Sequence, residues 1–219
     1  MKSDLISLMK PSVVAIKQQD IFKFNAKAKS IPGAVNMTVG EPNFPTPGHI
    51  KKAAIAAIDE NKTHYTVPEG DHELLHAVAT YLHDKYDLNY DPESQILATA
   101  GVTEGVFSVF NAILQTGDEV LLPSPSFTIY GPDANFNGAS PVYLDTSKTG
   151  FKMTPEMLAE VLRTNPRIKI LLLNYPSNPT GVSYTKDELE ALAEVLKKHD
   201  IFVVSDEIYS ELTYNFKHV

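Results

Sequence analysis

Two stretches decide the fold of this sequence: IKILLLNYPSNPTG (168–181) and IFVVSDEIY (201–209). Each begins with a short apolar run and continues into polar residues, which is the pattern of a buried β-strand that ends in a loop. The segment between them predicts a helix over residues 185–199, because Thr185 and Glu188 have the spacing of a capping box. A strand, a helix and a second strand in this order form a βαβ unit with two parallel strands.

The same alternation of strands and helices extends back to about residue 95. It predicts five strands, at residues 96–99, 119–122, 141–144, 168–173 and 201–204. The other helices of this part are predicted at residues 103–114, from near 127, and at 154–163. Strands that are apolar throughout are buried on both faces. We therefore predict an α/β fold with three layers, α-β-α, around a mostly parallel sheet.

The first 45 residues do not share this pattern. Residues 21–28 favour a helix and residues 34–39 a short strand, whereas residues 40–47 contain three prolines and a glycine and predict a loop. We expect residues 1–45 to be an arm or a segment of another domain. Residues 46–219 are expected to form the main domain, with two more helices before residue 89.

The composition excludes several classes of protein. A net charge of -8 without basic runs argues against a nucleic-acid partner. The sequence contains no cysteine, which excludes disulfides and thiolate chemistry. No apolar run approaches the length of a membrane-spanning helix. We expect a cytoplasmic protein that binds neither nucleic acid nor membranes, and we predict no metal site.

Ligands of open parallel sheets bind beyond the carboxyl ends of the strands, so the residues that follow each strand are candidates for a site. Gly101 and Thr103 open the helix after the first strand, where free amides and a hydroxyl suit a phosphate. The alternative is a tight turn in which Thr103 caps the helix. Phe127 follows the second strand and has two interpretations: it stacks on a planar ring or belongs to the core.

The two stretches quoted at the outset supply the other candidates. Asn178 lies in a turn stiffened by two prolines and offers both a hydrogen-bond donor and an acceptor. Asp206 follows a buried strand, where a carboxylate needs a cation or several donors; the alternative is a helix cap. Tyr209 adds a phenol three residues later. This set of groups fits a flat, phosphorylated cofactor with a ring nitrogen and a phenolic oxygen.

With these motifs the sequence resembles the class I/II aminotransferases, which are fold-type I enzymes that use pyridoxal 5′-phosphate (PLP). Two motifs are specific, NYPSNPTG (174–181) and VVSDEIY (203–209). Four more occur in the family's order: GEPNFPTP (40–47), HYTVPEG (64–70), AGVTEG (100–105) and PSPSFTIY (123–130). The stretch SDEIYSELTY is similar to the branch that contains aromatic and N-acetyl-diaminopimelate aminotransferases.

The resemblance implies a role for each candidate residue at the cofactor. Asp206 would pair with the pyridine nitrogen and keep it protonated, so that the ring can accept electrons. Tyr209 and Asn178 would hydrogen-bond the phenolic oxygen, and Phe127 would stack on the ring. The phosphate would be bound by Gly101, Val102 and Thr103.

The resemblance also implies substrate and partner contacts. The substrates would be an amino acid and a 2-oxo acid, with Gly40 and Asn178 beside the substrate. The enzymes of the family are homodimers, in which Tyr65 would reach the phosphate in the partner subunit. Relatives often have cis peptide bonds in the two proline turns, so Ser124-Pro125 and Asn178-Pro179 are predicted to be cis.

The sequence departs from the family in what it lacks. The lysine that forms the Schiff base should follow Tyr209 by about thirty residues, and the chain has only ten residues after Tyr209. We therefore expect an N-terminal portion with about five of the family's seven strands, truncated before that lysine and inactive alone. Residues 1–45 would then be an arm or small-domain segment, and residues 46–219 the PLP-binding large domain.

Two other functions fit the same residues. A PLP-dependent carbon–sulfur β-lyase would use the same set of cofactor contacts, but would release pyruvate, ammonia and a thiol. A non-catalytic binding or assembly module on this fold would explain the absent lysine. The acid, amide and phenol at Asp206, Asn178 and Tyr209 weigh against such a module, because a scaffold does not need them.

Overall fold

The computed structural model of the protein describes residues 5–16, 20–38, 40 and 44–219. The chain divides into two compact units. One unit is Lys17–Ala98, and the other combines Met1–Ile16 with Thr99–Val219. Residues 41–43 of the loop predicted at 40–47, and Val39 of the strand predicted at 34–39, lie outside the described residues.

The described part of the chain contains eight α-helices and four β-strands. The strands are β1 (Glu119–Ser124), β2 (Ser140–Asp145), β3 (Ile168–Asn174) and β4 (Phe202–Asp206). The helices are α1 (Pro11–Val14), α2 (Asp20–Lys29), α3 (Gly48–Asp59), α4 (His72–Tyr86), α5 (Val102–Ile113), α6 (Tyr130–Phe136), α7 (Pro155–Thr164) and α8 (Lys186–Leu196).

The unit Lys17–Ala98 contains α2, α3 and α4, which confirms the helices predicted in this region. Asp71 caps α4 by accepting a hydrogen bond from the Leu74 amide, and the helix ends at Asp87 in a left-handed conformation. Leu75 is the buried residue of α4. The strand predicted at residues 34–39 is wrong over its described part, because residues 34–38 have no paired strand beside them among the described residues.

The other unit is built on a parallel sheet with the order β2-β1-β3-β4. Successive residues of β1 and β3 point to opposite faces of the sheet, as the two-residue repeat of a strand requires. One face buries Leu122 and Leu172 in a core with α5 and α6. The other buries Leu121 and Leu171 in a core with α7 and α8. This arrangement confirms the predicted α/β fold with three layers.

The sheet has four strands rather than five, because the strand predicted at residues 96–99 does not form. A strand requires a neighbour that satisfies its backbone groups, and this segment pairs with none of the described strands. Its Ala98 amide instead donates to the Glu69 carbonyl at 2.8 Å. The free edge of β4 carries Phe202 and Val203, which are about half exposed.

The helix predicted from near residue 127 begins later, at Tyr130. A bend at Pro125 and a turn at residues 128–129 precede it, and residues 125–129 form no helix or strand. The helix predicted at residues 103–114 is confirmed as α5, and the one predicted at residues 185–199 is confirmed as α8. Among the described residues, no helix is long and apolar enough to cross a membrane. The same residues contain no group of three metal-binding side chains.

The capping box predicted for α8 is present. Thr185 accepts a hydrogen bond from the Glu188 amide, and Glu188 accepts one from the Thr185 amide. We expect Thr185→Ala to lower the free energy of unfolding by about 1 kcal/mol, because an amide at the helix start loses its acceptor. The melting temperature, followed by circular dichroism, should fall by about 2–4 °C. Thr185→Ser keeps the hydroxyl and should restore wild-type stability; equal losses in both variants would contradict the capping role.

Candidate functional site

A cavity of about 190 Å³ lies beyond the carboxyl ends of β1, β3 and β4. It forms where the turns after these strands meet the start of α5. Ten residues line it: Val102, Thr103, Phe127, Ile129, Tyr130, Asn174, Asn178, Asp206, Ile208 and Tyr209. Six of them were predicted from the sequence to bind a cofactor. The ten residues come from four separate segments of the chain, which the fold brings together.

Asp206 is the acid of the cavity and is 5% exposed. Its Oδ2 accepts a hydrogen bond from the Tyr130 hydroxyl at 2.7 Å, and its Oδ1 accepts one from the Ile208 amide at 3.2 Å. The residues after Asp206 form a turn rather than a helix, so the helix-cap alternative is wrong. A carboxylate can accept about four hydrogen bonds, and each oxygen therefore keeps capacity for a ligand.

Asn178 and Tyr209 approach each other across the turns that follow β3 and β4. The Asn178 Nδ2 donates to the Tyr209 hydroxyl at 3.2 Å. Both side chains line the cavity, with an amide and a phenol side by side. Two donors or acceptors so placed can bind one oxygen atom of a ligand together.

Asn174 connects the two turns and was not among the predicted site residues. Its Nδ2 donates to the Asp206 carbonyl at 2.9 Å, and its Oδ1 accepts from the Asn178 amide at 2.7 Å. A side chain at the end of β3 thus fixes the backbone of both neighbouring turns. The sequence motif contained this residue, but only the pairing of β3 with β4 shows what it contacts.

We expect Asn174→Ala to destabilise the protein by about 1–3 kcal/mol, because it leaves the Asn178 amide and the Asp206 carbonyl without these partners. Denaturation by urea measures the loss. Asn165→Ala is the matched control, since the Asn165 side chain bonds only within the end of α7 and its neighbour. If Asn165→Ala lowered the free energy of unfolding as much as Asn174→Ala, the two hydrogen bonds of Asn174 would have no special importance for stability.

Tyr130 is the second residue that sequence reasoning missed. It begins α6, is 1% exposed and donates to the cavity's acid. The pKa of the Tyr130 phenol lies well above its ordinary value. Burial is the largest cause, and the hydrogen bond to Asp206 and the charge of Asp206 add to it. The motif PSPSFTIY ends at this residue, but nothing in the spacing of the sequence connects it with a carboxylate 76 residues away.

Phe127 occupies a position that fits both interpretations of the sequence, as a wall of the ligand site and as part of the core. Its ring lines the cavity and also packs against the core cluster that includes Tyr130. The two rings meet edge to face, with centroids 5.7 Å apart and planes at 81°. A partly buried aromatic ring at this position can cover one face of a planar ligand.

The start of α5 forms the remaining wall. Gly101 is its N-cap, with a φ of 84°, and no side chain caps the helix. The alternative in which Thr103 caps α5 is therefore wrong. Val102 and Thr103 both line the cavity, and the first amides of the helix have no partner within it. Such amides, with the positive end of the helix dipole, favour an anionic ligand.

Four predicted features of the site are either peptide-bond conformations or residues of the unit Lys17–Ala98. Ser124-Pro125 and Asn178-Pro179 are cis, as predicted, and Tyr175-Pro176 is cis as well. Gly40 and Tyr65 belong to the unit Lys17–Ala98, where both are exposed. Their roles toward substrate and partner subunit stay predictions.

The described residues of the cavity fit PLP. Asp206 supplies a buried negative charge, and none of the ten lining residues is a lysine, arginine or histidine. A buried carboxylate without a cation costs free energy, which a ligand with a protonated ring nitrogen would recover. The helix start suits a phosphate, and Asn178 with Tyr209 suits an oxygen substituent between them.

A family model for "Aminotransferase class I and II" matches residues 32–219. The chain belongs to this family. Among curated aminotransferases, it is 44% identical over 211 residues to a probable N-acetyl-LL-diaminopimelate aminotransferase of Bacillus subtilis, covering 96% of this chain and 53% of the relative. It is 38% identical over 210 residues to an aspartate aminotransferase of the same organism, covering 94% and 53%.

A solved structure of an aspartate aminotransferase from Thermus thermophilus with maleate is similar to this aminotransferase chain. The TM-score is 0.89 at 39% identity, with 96% of this chain and 56% of the other covered. The chain thus spans about half the length of the relatives it matches. All of these relatives are aminotransferases by name, which does not favour the β-lyase or the non-catalytic alternative.

Proposed function

We propose that the cavity binds PLP and that this chain supplies the ring-binding part of an aminotransferase site. One observation carries the proposal: the buried Asp206 carboxylate is held by two donors, and no cation lines its cavity. A protonated pyridine nitrogen would supply the missing positive charge. The full reaction would transfer an amino group between an amino acid and a 2-oxo acid.

Bound PLP would supply a conjugated ring that accepts electron density from the amino acid. Asp206 would keep the ring nitrogen protonated, which strengthens this effect. Asn178 and Tyr209 would hydrogen-bond the phenolic oxygen, and Phe127 would cover one face of the ring. Gly101, Val102 and Thr103 would bind the phosphate at the start of α5.

Further proposals concern groups outside the cavity. Gly40, together with Asn178, would contact the substrate. Tyr65 would reach the phosphate of the partner subunit in a homodimer, and its full exposure in this chain leaves it available for such a contact. We propose a cytoplasmic location, with residues 1–45 as an arm or small-domain segment and residues 46–219 as the PLP-binding large domain.

The 219-residue chain is proposed to bind the cofactor without a covalent bond and to be inactive alone. No lysine lines the described cavity, and an aminotransferase needs a lysine to carry a proton and to bond the cofactor. A complete site would therefore need a lysine from outside this set of residues.

Equilibrium dialysis with pyridoxamine 5′-phosphate tests the proposal. This probe has the ring, the phosphate and the phenolic oxygen of PLP but no aldehyde, so it does not react with surface lysines. We expect saturable binding at one site per chain, with competition by PLP and no transamination when amino and 2-oxo acids are added. Absence of saturable binding would overturn the proposed function; turnover by the purified chain would overturn its inactivity.

A further inference from the structure

The contact between Tyr130 and Asp206 joins the start of α6 to the end of β4. It is the shorter of the two hydrogen bonds to the carboxylate, at 2.7 Å against 3.2 Å for the Ile208 amide. Both residues line the cavity, yet Tyr130 is 1% exposed and points its hydroxyl at the acid. The phenol therefore contacts the carboxylate at the wall of the cavity.

Tyr130 is held rigidly. Its ring belongs to the core cluster that contains Phe110, Ile170 and Leu172, and Phe127 packs edge-on against it. A close-packed interior allows such a ring few alternative rotamers. The hydroxyl is thereby a fixed donor, and its position sets where the Asp206 Oδ2 can lie.

The protonation of Tyr130 is also fixed. Burial raises the pKa of this phenol, and the hydrogen bond and charge of Asp206 raise it further. The hydroxyl therefore keeps its proton at neutral pH, and toward Asp206 it acts as a hydrogen-bond donor.

We propose that Tyr130 is a positioning residue, whose hydroxyl orients the Asp206 carboxylate so that the cavity selects a ring with a protonated nitrogen. The inference rests on the proposed function. It adds Tyr130 as a residue that affects which ligand ring is bound. Tyr130 has this effect by positioning Asp206 and not by contacting the ligand's reacting atoms itself. A Tyr130 hydroxyl that only satisfied a buried polar group would affect every ligand of the cavity alike.

The test compares two ligands of the full chain by equilibrium dialysis. One is pyridoxamine 5′-phosphate, and the other is its carbocyclic analogue in which C–H replaces the ring nitrogen. We expect Tyr130→Phe to weaken binding of the first about tenfold, because a hydrogen bond to a charged group is lost, and to change binding of the analogue less than about twofold. Tyr184→Phe is the matched control, since its buried hydroxyl accepts from the Met153 amide and lies outside this cavity.

A second measurement uses Asp206→Asn as the background. If Tyr130 acts through the carboxylate, then Tyr130→Phe should have less than about twofold effect on pyridoxamine phosphate binding in this background. Thermal unfolding of each variant verifies that it is folded.

Three outcomes would overturn the inference. If Tyr130→Phe lost equal affinity for both ligands, the effect would be one of packing. If its affinity for pyridoxamine phosphate were unchanged, the hydroxyl would have no role. A full effect of Tyr130→Phe in the Asp206→Asn background would show that Tyr130 does not act through the acid. Wild-type protein that binds neither ligand would refute the proposed function itself, which distinguishes that failure from failure of the inference alone.

Discussion

Asp206→Asn is expected to weaken binding of pyridoxamine 5′-phosphate by about 10- to 100-fold, while the protein stays folded. Hydrogen bonds to charged groups contribute about 1.5–3 kcal/mol, and each 1.4 kcal/mol is a factor of about ten in affinity. An asparagine has nearly the same shape as an aspartate and keeps one acceptor oxygen. It loses the charge that would hold the ring nitrogen in its protonated form.

Equilibrium dialysis of the variant measures this effect, and thermal unfolding checks the fold. Asp133→Asn is the control: Asp133 lies in α6, its side chain is partly buried, and it does not line the cavity. Burial raises the pKa of Asp133, so the control also removes a carboxyl group from a partly buried environment. Equal losses of affinity in the two variants would exclude a specific contact between Asp206 and the ligand.

Phe110→Ala is expected to reduce the free energy of unfolding by about 3–5 kcal/mol. Phe110 is 0% exposed and lies in α5, where it packs in the core cluster with Val120, Leu122 and Ile170. Its removal leaves a cavity between α5 and the sheet. Because total stability is about 5–15 kcal/mol, the change would remove a large fraction of it.

The same variant should weaken ligand binding, since α5 carries Val102 and Thr103 into the site. Urea denaturation followed by circular dichroism measures the loss of stability. Phe202→Ala makes the same chemical change at the free edge of β4, where the side chain is 53% exposed, and should cost less than about 1 kcal/mol. Comparable costs at the two positions would mean that the core between α5 and the sheet does not carry the stability of this unit.

Local pattern was sufficient to predict most elements of the sheet-containing unit. The centres of β1 and β3 are apolar because both faces of the sheet are covered, and this shows directly in the sequence. The capping box of α8 involves residues three apart, so it too is visible in the sequence. The segment 96–99 has the same apolar composition but no strand beside it, and pairing is a tertiary property.

The residues of the candidate site also fall into two groups, those that could be predicted from the sequence and those that only the structure identifies. Asp206, Asn178, Tyr209 and Phe127 could be proposed from the sequence because each follows a strand, and parallel strands bring their carboxyl ends to one edge. Tyr130 and Asn174 could not be assigned a role from their neighbours in the chain. Both contact Asp206, which lies 76 residues from Tyr130 and 32 residues from Asn174. The packing of α6 brings Tyr130 to this residue, and the pairing of β3 with β4 brings Asn174 to it.

Short-range patterns were enough to predict the family, the layered α/β fold and the types of chemical group at the sheet edge, because apolar runs, turn residues and motifs are local features of the chain. The donors that hold Asp206, the side chain that bridges the two turns and the apolar segment that stays outside the sheet emerge only from folding. They depend on hydrogen bonds and core packing between residues that are far apart in the chain.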